Sequence, residues 1–130
     1  MITLKEVFLL QEREDLLFVA SEIVKHYRLK SKVKFGTYGG DQGGYNWDTD
    51  TIMLNKYYPK VSEFIITVLH EIHHALQIKK YGRRKFMKKY QQASNMADLD
   101  GKDRYLANKW EKKAENWAQQ EYRKKWKNNF

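Results

Sequence analysis

The chain has 130 residues, a formal charge of +9 and no cysteine. That length holds one modest core and argues against a second independent one, so residues 1–130 are read as a single domain. Without cysteine there can be no disulfide and no thiolate metal site, and any zinc must be held by imidazole and carboxylate.

Residues 1–10 show no basic segment leading into a long apolar run, and no apolar stretch is long enough to span a membrane. The expectation is a soluble, cytoplasmic protein with no pro-segment. Two basic runs stand out: Lys79-Lys80, Arg83-Arg84-Lys85 and Lys88-Lys89, then Lys109, Lys112, Lys113 and Arg123-Lys124-Lys125. Such charge suits acidic partners, nucleic acid among them. No nucleic-acid motif accompanies it, so a solvated, solubilising face is the favoured expectation.

In chain order, residues 4–29 read as a helix. Leu4, Val7, Phe8, Leu16, Val19, Ala20, Ile23, Val24 and Tyr27 recur at helical spacing, with a polar break at Gln11 to Asp15. Lys32 to Phe35 alternates as a half-buried strand does. A glycine-rich loop, residues 39–44, follows, then alternation through Tyr45, Asn46 and Trp47, a turn at Asp48-Thr49-Asp50, and a third short strand, Thr51 to Asn55. These predict a small antiparallel sheet. The loop is no phosphate cradle, since it lacks the G-x-x-x-x-G-K-[ST] pattern and a helix directly behind it.

After Pro59 a helix is predicted from Val61 to Tyr81. Its apolar stripe is Val61, Phe64, Ile65, Val68, Ile72, Ala75 and Leu76, and Gly82 is its stop. Residues 83–100 read as a short helix and a loop ending at Gly101. From Asp103 to Trp126 the pattern is helical again, with Tyr105, Leu106, Trp110, Ala114, Trp117, Ala118 and Tyr122 as expected buried positions.

The chemistry is concentrated in His70-Glu71-Ile72-His73-His74 on the Val61–Tyr81 helix. His70 and His74, four apart, share one face and can occupy two vertices of a tetrahedron around one ion. Glu71 points about a quarter-turn away, where it reaches a water on the metal. Leu69, Ile72, Ala75 and Leu76 surround the motif, so the histidines are expected beside a core, where clustered imidazoles need something to pair them.

A catalytic zinc site has three protein ligands and an open position. The other histidines are His73, which cannot converge on the same ion from its place on the helix, and His26 in the N-terminal helix. Glu111 and Glu115 are better candidates for the third ligand. They stand four apart on the last helix, and Ala114 and Ala118 let that helix approach another closely. One carboxylate can bind the ion while the other accepts a hydrogen bond from a ligand histidine.

On these residues the chain resembles the zincin metallopeptidases of the gluzincin branch. There a helix with H-E-x-x-H is followed by one with E-x-x-x-[DE] or E-x-x-A-[ND]-x-[FW]-A, and the segment from Glu111 to Ala118 is close to the latter. In size and layout it is most similar to the small ImmA/IrrE-like and phage-type peptidases, over residues 45–120. The resemblance implies a minimal zincin-like α+β fold, with Thr51 to Asn55 as an edge strand packed on the active-site helix.

It also implies roles. His70, His74 and Glu111 would be zinc ligands, Glu71 the general base, and Glu115 the partner of a ligand histidine. Glu115 stands where Asp or Asn is commoner, and His73 where Gly or Ala is. The implied activity is hydrolysis of a protein or peptide substrate lying against the edge strand. Tyr57, Tyr58, Tyr81, Tyr90 and Tyr105 are the tyrosines available to hold the oxyanion. The alternative expectation is a basic nucleic-acid-associated protein, or a virion or complex component, that kept a zinc site without activity. Glu71 argues against it, because a structural site needs no general base.

Overall fold

A computed structural model of the chain describes residues 13–36 and 43–128. Its elements in order are α1 (Arg13–His26), β1 (Lys32–Gly36), β2 (Gly43–Asn46), β3 (Thr51–Asn55), α2 (Val61–Tyr81), α3 (Arg83–Leu99) and α4 (Lys109–Glu121). The last helix runs on into a π-helical turn, Tyr122–Trp126. This is the α+β class expected. Of the N-terminal helix predicted over 4–29, the helical part described is Arg13–His26; residues 4–12 and 37–42, the latter with residues 39–42 of the glycine-rich loop, lie outside the described residues.

The sheet corrects two expectations. It is mixed, not antiparallel, and Thr51–Asn55 is its centre, not its edge. The strand order is β1-β3-β2, with β1 parallel and β2 antiparallel to β3. Burial explains the placement. Ile52 and Leu54 are both fully buried, whereas β1 exposes alternate lysines and β2 is half-buried throughout. The most apolar strand takes the position covered on both sides. Alternation within a strand carries no information about which neighbour it pairs with, so the order was invisible in sequence.

The β2–β3 connection is the turn expected at Asp48 to Asp50. The Asn46 side chain accepts from the N–H groups of Asp48 and Thr49, at 3.0 and 3.2 Å, and Asp50 adopts a positive φ of 50°. β2 then lies flush against α2. A Cβ at Gly43 would come within 2.8 Å of the Met53 carbonyl and 2.9 Å of Thr67 Cγ2.

Helix α2 has the predicted limits. Its stripe buries Phe64, Ile65, Val68, Leu69 and Ile72 in one cluster with Val19, Ala20 and Ile23 of α1 and with Ile52 and Leu54 of β3. Each such side chain contributes about 1.5–3 kcal/mol when fully buried. Gly82, at φ 84°, ends α2 and donates its N–H to the Ile78 carbonyl at 2.7 Å.

Residues 83–99 form one continuous helix where a short helix and a loop were expected. Only Phe86, Ser94 and Ala97 are buried along it, so its apolar period is faint. Phe86 anchors it, with its ring 5.4 Å from Trp47 and 5.5 Å from Trp110.

The final helix starts at Lys109, not Asp103. The Asp103 carboxylate accepts from the N–H groups of Tyr105 and Leu106, both at 2.8 Å, which holds a turn in competition with helix. Tyr105 and Leu106, expected to be buried, are 54% and 71% exposed in consequence. Asn108 then caps α4, accepting from the Trp110 N–H at 2.8 Å. At the far end Trp126 Nε1 donates to the Tyr27 hydroxyl, which donates to Glu121, both at 2.9 Å, tying α4 to α1. Among the described residues no helix is long and apolar enough to cross a membrane.

Candidate metal centre

Helix α2 presents His70 and His74 one turn apart, with ring centroids 5.0 Å from each other. The expected setting beside the core is found: Leu69, Ile72, Ala75, Glu71 and His74 are all buried. His70, Glu71 and His74 each place a ligand-type atom within 4.8 Å of the others, a group able to hold a metal ion.

Helix α4 adds a fourth side chain. Ala114 and Ala118 are fully buried, which lets α4 lie close to α2. The Asn108 side chain donates to Ser94 Oγ at 2.9 Å and to the Tyr90 carbonyl at 3.1 Å, so the start of α4 is fastened to α3. Glu111, in the first turn, is thereby carried to the histidines. Its Oε1 lies 2.9 Å from His70 Nε2 and 2.8 Å from His74 Nε2. Two carboxylates thus serve the group. Glu111 touches both Nε2 atoms directly, and Glu71 offers a carboxylate oxygen within 4.8 Å of both histidines.

The far nitrogens of both imidazoles are also held. His70 Nδ1 is 2.9 Å from Glu115 Oε1, and Gln119 braces Glu115 by donating to Oε2 at 2.8 Å. His74 Nδ1 is 2.9 Å from Gln77 Oε1, whose own amide donates to the Trp110 carbonyl at 3.4 Å. The Tyr90 hydroxyl donates to the second oxygen of Glu111. An acceptor at each Nδ1 puts the proton there, which leaves each neutral ring with a lone pair on Nε2. Two such lone pairs and an anionic oxygen then face one another, an arrangement that needs a cation between them. Protons or a metal ion can meet the need.

The electrostatics without metal show how strong the need is. Burial alone would drive His70 toward neutrality. Hydrogen bonds that it donates to Glu111 and Glu115 and the charges of Glu71 and Glu111 outweigh it and raise its pKa from 6.5 to about 10. His74 is likewise raised against burial, by Glu111 and Glu71. Burial opposes the Glu111 charge too, but hydrogen bonds from His70, His74 and Tyr90 hold it well below the usual carboxylate range. Two imidazoles with a carboxylate are a donor set that fits a divalent metal ion, and nitrogen and oxygen ligands of this kind suit several.

The group opens on a cleft of about 720 Å³. Glu63, Thr67 and His70 of α2 line one wall, Glu111, Lys112 and Glu115 of α4 another, with Gly43 of β2 and Tyr105 at its sides.

The remaining candidates separate clearly. His73 turns away and packs on Trp117, 5.0 Å between rings; burial, then the positive fields of His74, His70 and Lys113, push its pKa down to about 4. His26 packs on Tyr27 and Trp126, away from the group. Of the five tyrosines, Tyr90 meets Glu111 and Tyr105 lines the cleft. Tyr58 is buried in the core, Tyr57 is exposed, and Tyr81 packs on Trp110. Gln77 and Asn108 went unnoticed in the sequence. A signal existed for each: Gln77 is three residues beyond His74, and Asn108 precedes a helical run as caps do.

Compared with known proteins, the chain matches no protein-family model, no curated sequence and no solved structure.

Proposed function

We propose that the chain is a zinc-dependent metallopeptidase whose ion is held by His70, His74 and Glu111. The observation that carries this reading is the convergence of both Nε2 atoms on Glu111 Oε1, beside a buried Glu71 and open to a cleft. Three ligands and an open side suit catalysis; a structural zinc site has its fourth position closed by the protein. Support beyond this is the H-E-x-x-H spacing and the zincin resemblance of the Glu111 to Ala118 segment.

A zinc ion bound there would polarise a water and the scissile carbonyl. The protein's own groups do the rest. Glu71 takes a proton from the attacking water and returns it to the leaving amine. Glu115 and Gln77 hold the imidazoles in the tautomer that presents Nε2. Tyr90 fixes the free oxygen of Glu111, which leaves Tyr105, on the cleft wall, as the tyrosine for the oxyanion. The substrate adds as a strand to β2, the outer strand beside α2, and not to Thr51–Asn55, which is enclosed by both neighbours.

The test is hydrolysis of a mixed peptide library by the zinc-loaded chain and by Glu71→Gln. The parent is expected to cleave and the variant to retain zinc without cleaving. Equal cleavage by both, or none by the parent, would sink the reading.

A further inference from the structure

The metal centre makes no use of the basic runs, yet the tertiary structure gathers part of them. Lys80 and Lys89 lie over the Tyr81 ring, 5.2 and 5.5 Å from its centroid. Lys109 and Lys113 lie over the Trp110 ring, at 5.0 and 4.7 Å. The two rings are themselves only 5.8 Å apart. Lysines from α2, α3 and α4 therefore crowd one aromatic pair. Among the described residues none of the four has a carboxylate at ion-pair distance, whereas Lys25, Arg83, Arg104 and Lys125 each do. Beside them is a cavity of about 450 Å³, to which Lys89, Lys102 and Lys109 contribute against a single carboxylate, Asp100.

The rings fix where the ammonium groups sit but do not neutralise them, since a cation–π contact at an exposed site is worth only about 0.5–1 kcal/mol. Like charges held together repel, and an anion laid across them relieves the repulsion. The cations continue from the aromatic pair into the cavity, so the ligand they suit is extended and repeats its charge. A lipid surface suits them less. Trp110 is only 6% exposed and Tyr81 is half-buried beneath its two lysines, so the aromatic pair presents no large ring free to insert.

We propose that this face binds nucleic acid through its phosphate backbone. Recognition would be independent of base sequence, because ammonium groups on flexible stems neutralise phosphates without reading base edges. The inference stands apart from the peptidase reading and survives if that reading fails.

The test is fluorescence anisotropy of the full, zinc-loaded chain with single- and double-stranded 20-mers of random sequence, across a salt series. Four phosphate contacts predict a slope of about −3.6 in log affinity against log salt on duplex. That is a loss of about 100-fold between 50 and 200 mM. A Lys80→Gln, Lys89→Gln, Lys109→Gln triple variant should flatten the slope by about 3. An Arg123→Gln, Lys124→Gln, Lys127→Gln triple, with the same change in net charge, should leave it near the parent value. Far-ultraviolet circular dichroism and a thermal melt report whether each variant folds. If the first triple does not fold, Lys89→Gln and Lys113→Gln singly should each flatten the slope by about 1. Equal losses in both triples would mean diffuse charge and overturn the proposal. So would no binding at 50 mM salt, tighter binding to phosphatidylserine vesicles, or no effect of either single variant.

Discussion

Replacing Glu111 by Gln keeps the shape of the side chain, removes its charge and turns one of its two acceptor oxygens into an amide donor. The Asn108 cap and the Ala114 and Ala118 packing that position it are untouched. Two carboxylates stand at the histidine pair, and the proposal gives them different roles: Glu111 Oε1, which meets the Nε2 atoms at 2.9 and 2.8 Å, is the ligand, and Glu71, within 4.8 Å of both histidines, is the base. Zinc sites bind with about 10–16 kcal/mol, so one of four ligand positions carries about 3–4 kcal/mol, or roughly 100- to 1,000-fold in affinity. Glu111→Gln is expected to lose zinc affinity on that scale. Glu71→Gln is expected to stay within about tenfold of the parent while losing hydrolysis. Competition against a chromogenic chelator measures both. If Glu111→Gln binds zinc as the parent does, or if Glu71→Gln loses more zinc than Glu111→Gln, the assignment of ligand and base is reversed.

Further outcomes follow from the same geometry. Tyr90→Phe removes the donor to the second oxygen of Glu111 and should weaken zinc binding by about 10- to 100-fold, whereas Tyr105→Phe should leave zinc binding alone and lower kcat; the reverse pattern in the chelator and rate assays would exchange their roles. In the chelated, metal-free protein, His70 is raised from 6.5 to about 10, so the stability it contributes is fully present below pH 6.5 and lost as pH rises toward 10. Urea melts with chelator should show that decline, and an increase in stability over the same range would contradict it. Gly43→Val would drive a side chain into the Met53 carbonyl and Thr67, at a cost of about 1–3 kcal/mol and a lower Tm; an unchanged melt would show that β2 does not lie against α2 as described.

Much of the site was legible because it is local. H-E-x-x-H needs only a helix, and the α2 stripe of Phe64, Ile65, Val68 and Ile72 defines one on its own. Its burial was legible too, since Leu69, Ile72 and Ala75 bracket the motif. Glu111 and Glu115 could be nominated because Ala114 and Ala118 mark a face suited to close packing. Which of them meets which nitrogen depends on where α4 begins, and that is set by Asn108 reaching across to Ser94 and Tyr90. Residues 83–99 misled because only three of their side chains are buried, so helical periodicity had little to act on. Tyr105 and Leu106 misled because Asp103 captures their N–H groups and turns the chain out of the helix.

Sequence alone determined the α+β class, the helix from Val61 to Tyr81 and the presence on it of two imidazoles and a carboxylate at metal-binding spacing. These are short-range properties, set by residues within a turn or two of one another. Tertiary structure alone decided the long-range ones. It placed β3 between β1 and β2, brought Glu111 onto both Nε2 atoms, and chose Tyr90 from five tyrosines as its partner. It also gathered Lys80, Lys89, Lys109 and Lys113 around one aromatic pair. Those arrangements depend on which apolar faces cover one another, and a periodic pattern states that a face is apolar without stating what will bury it.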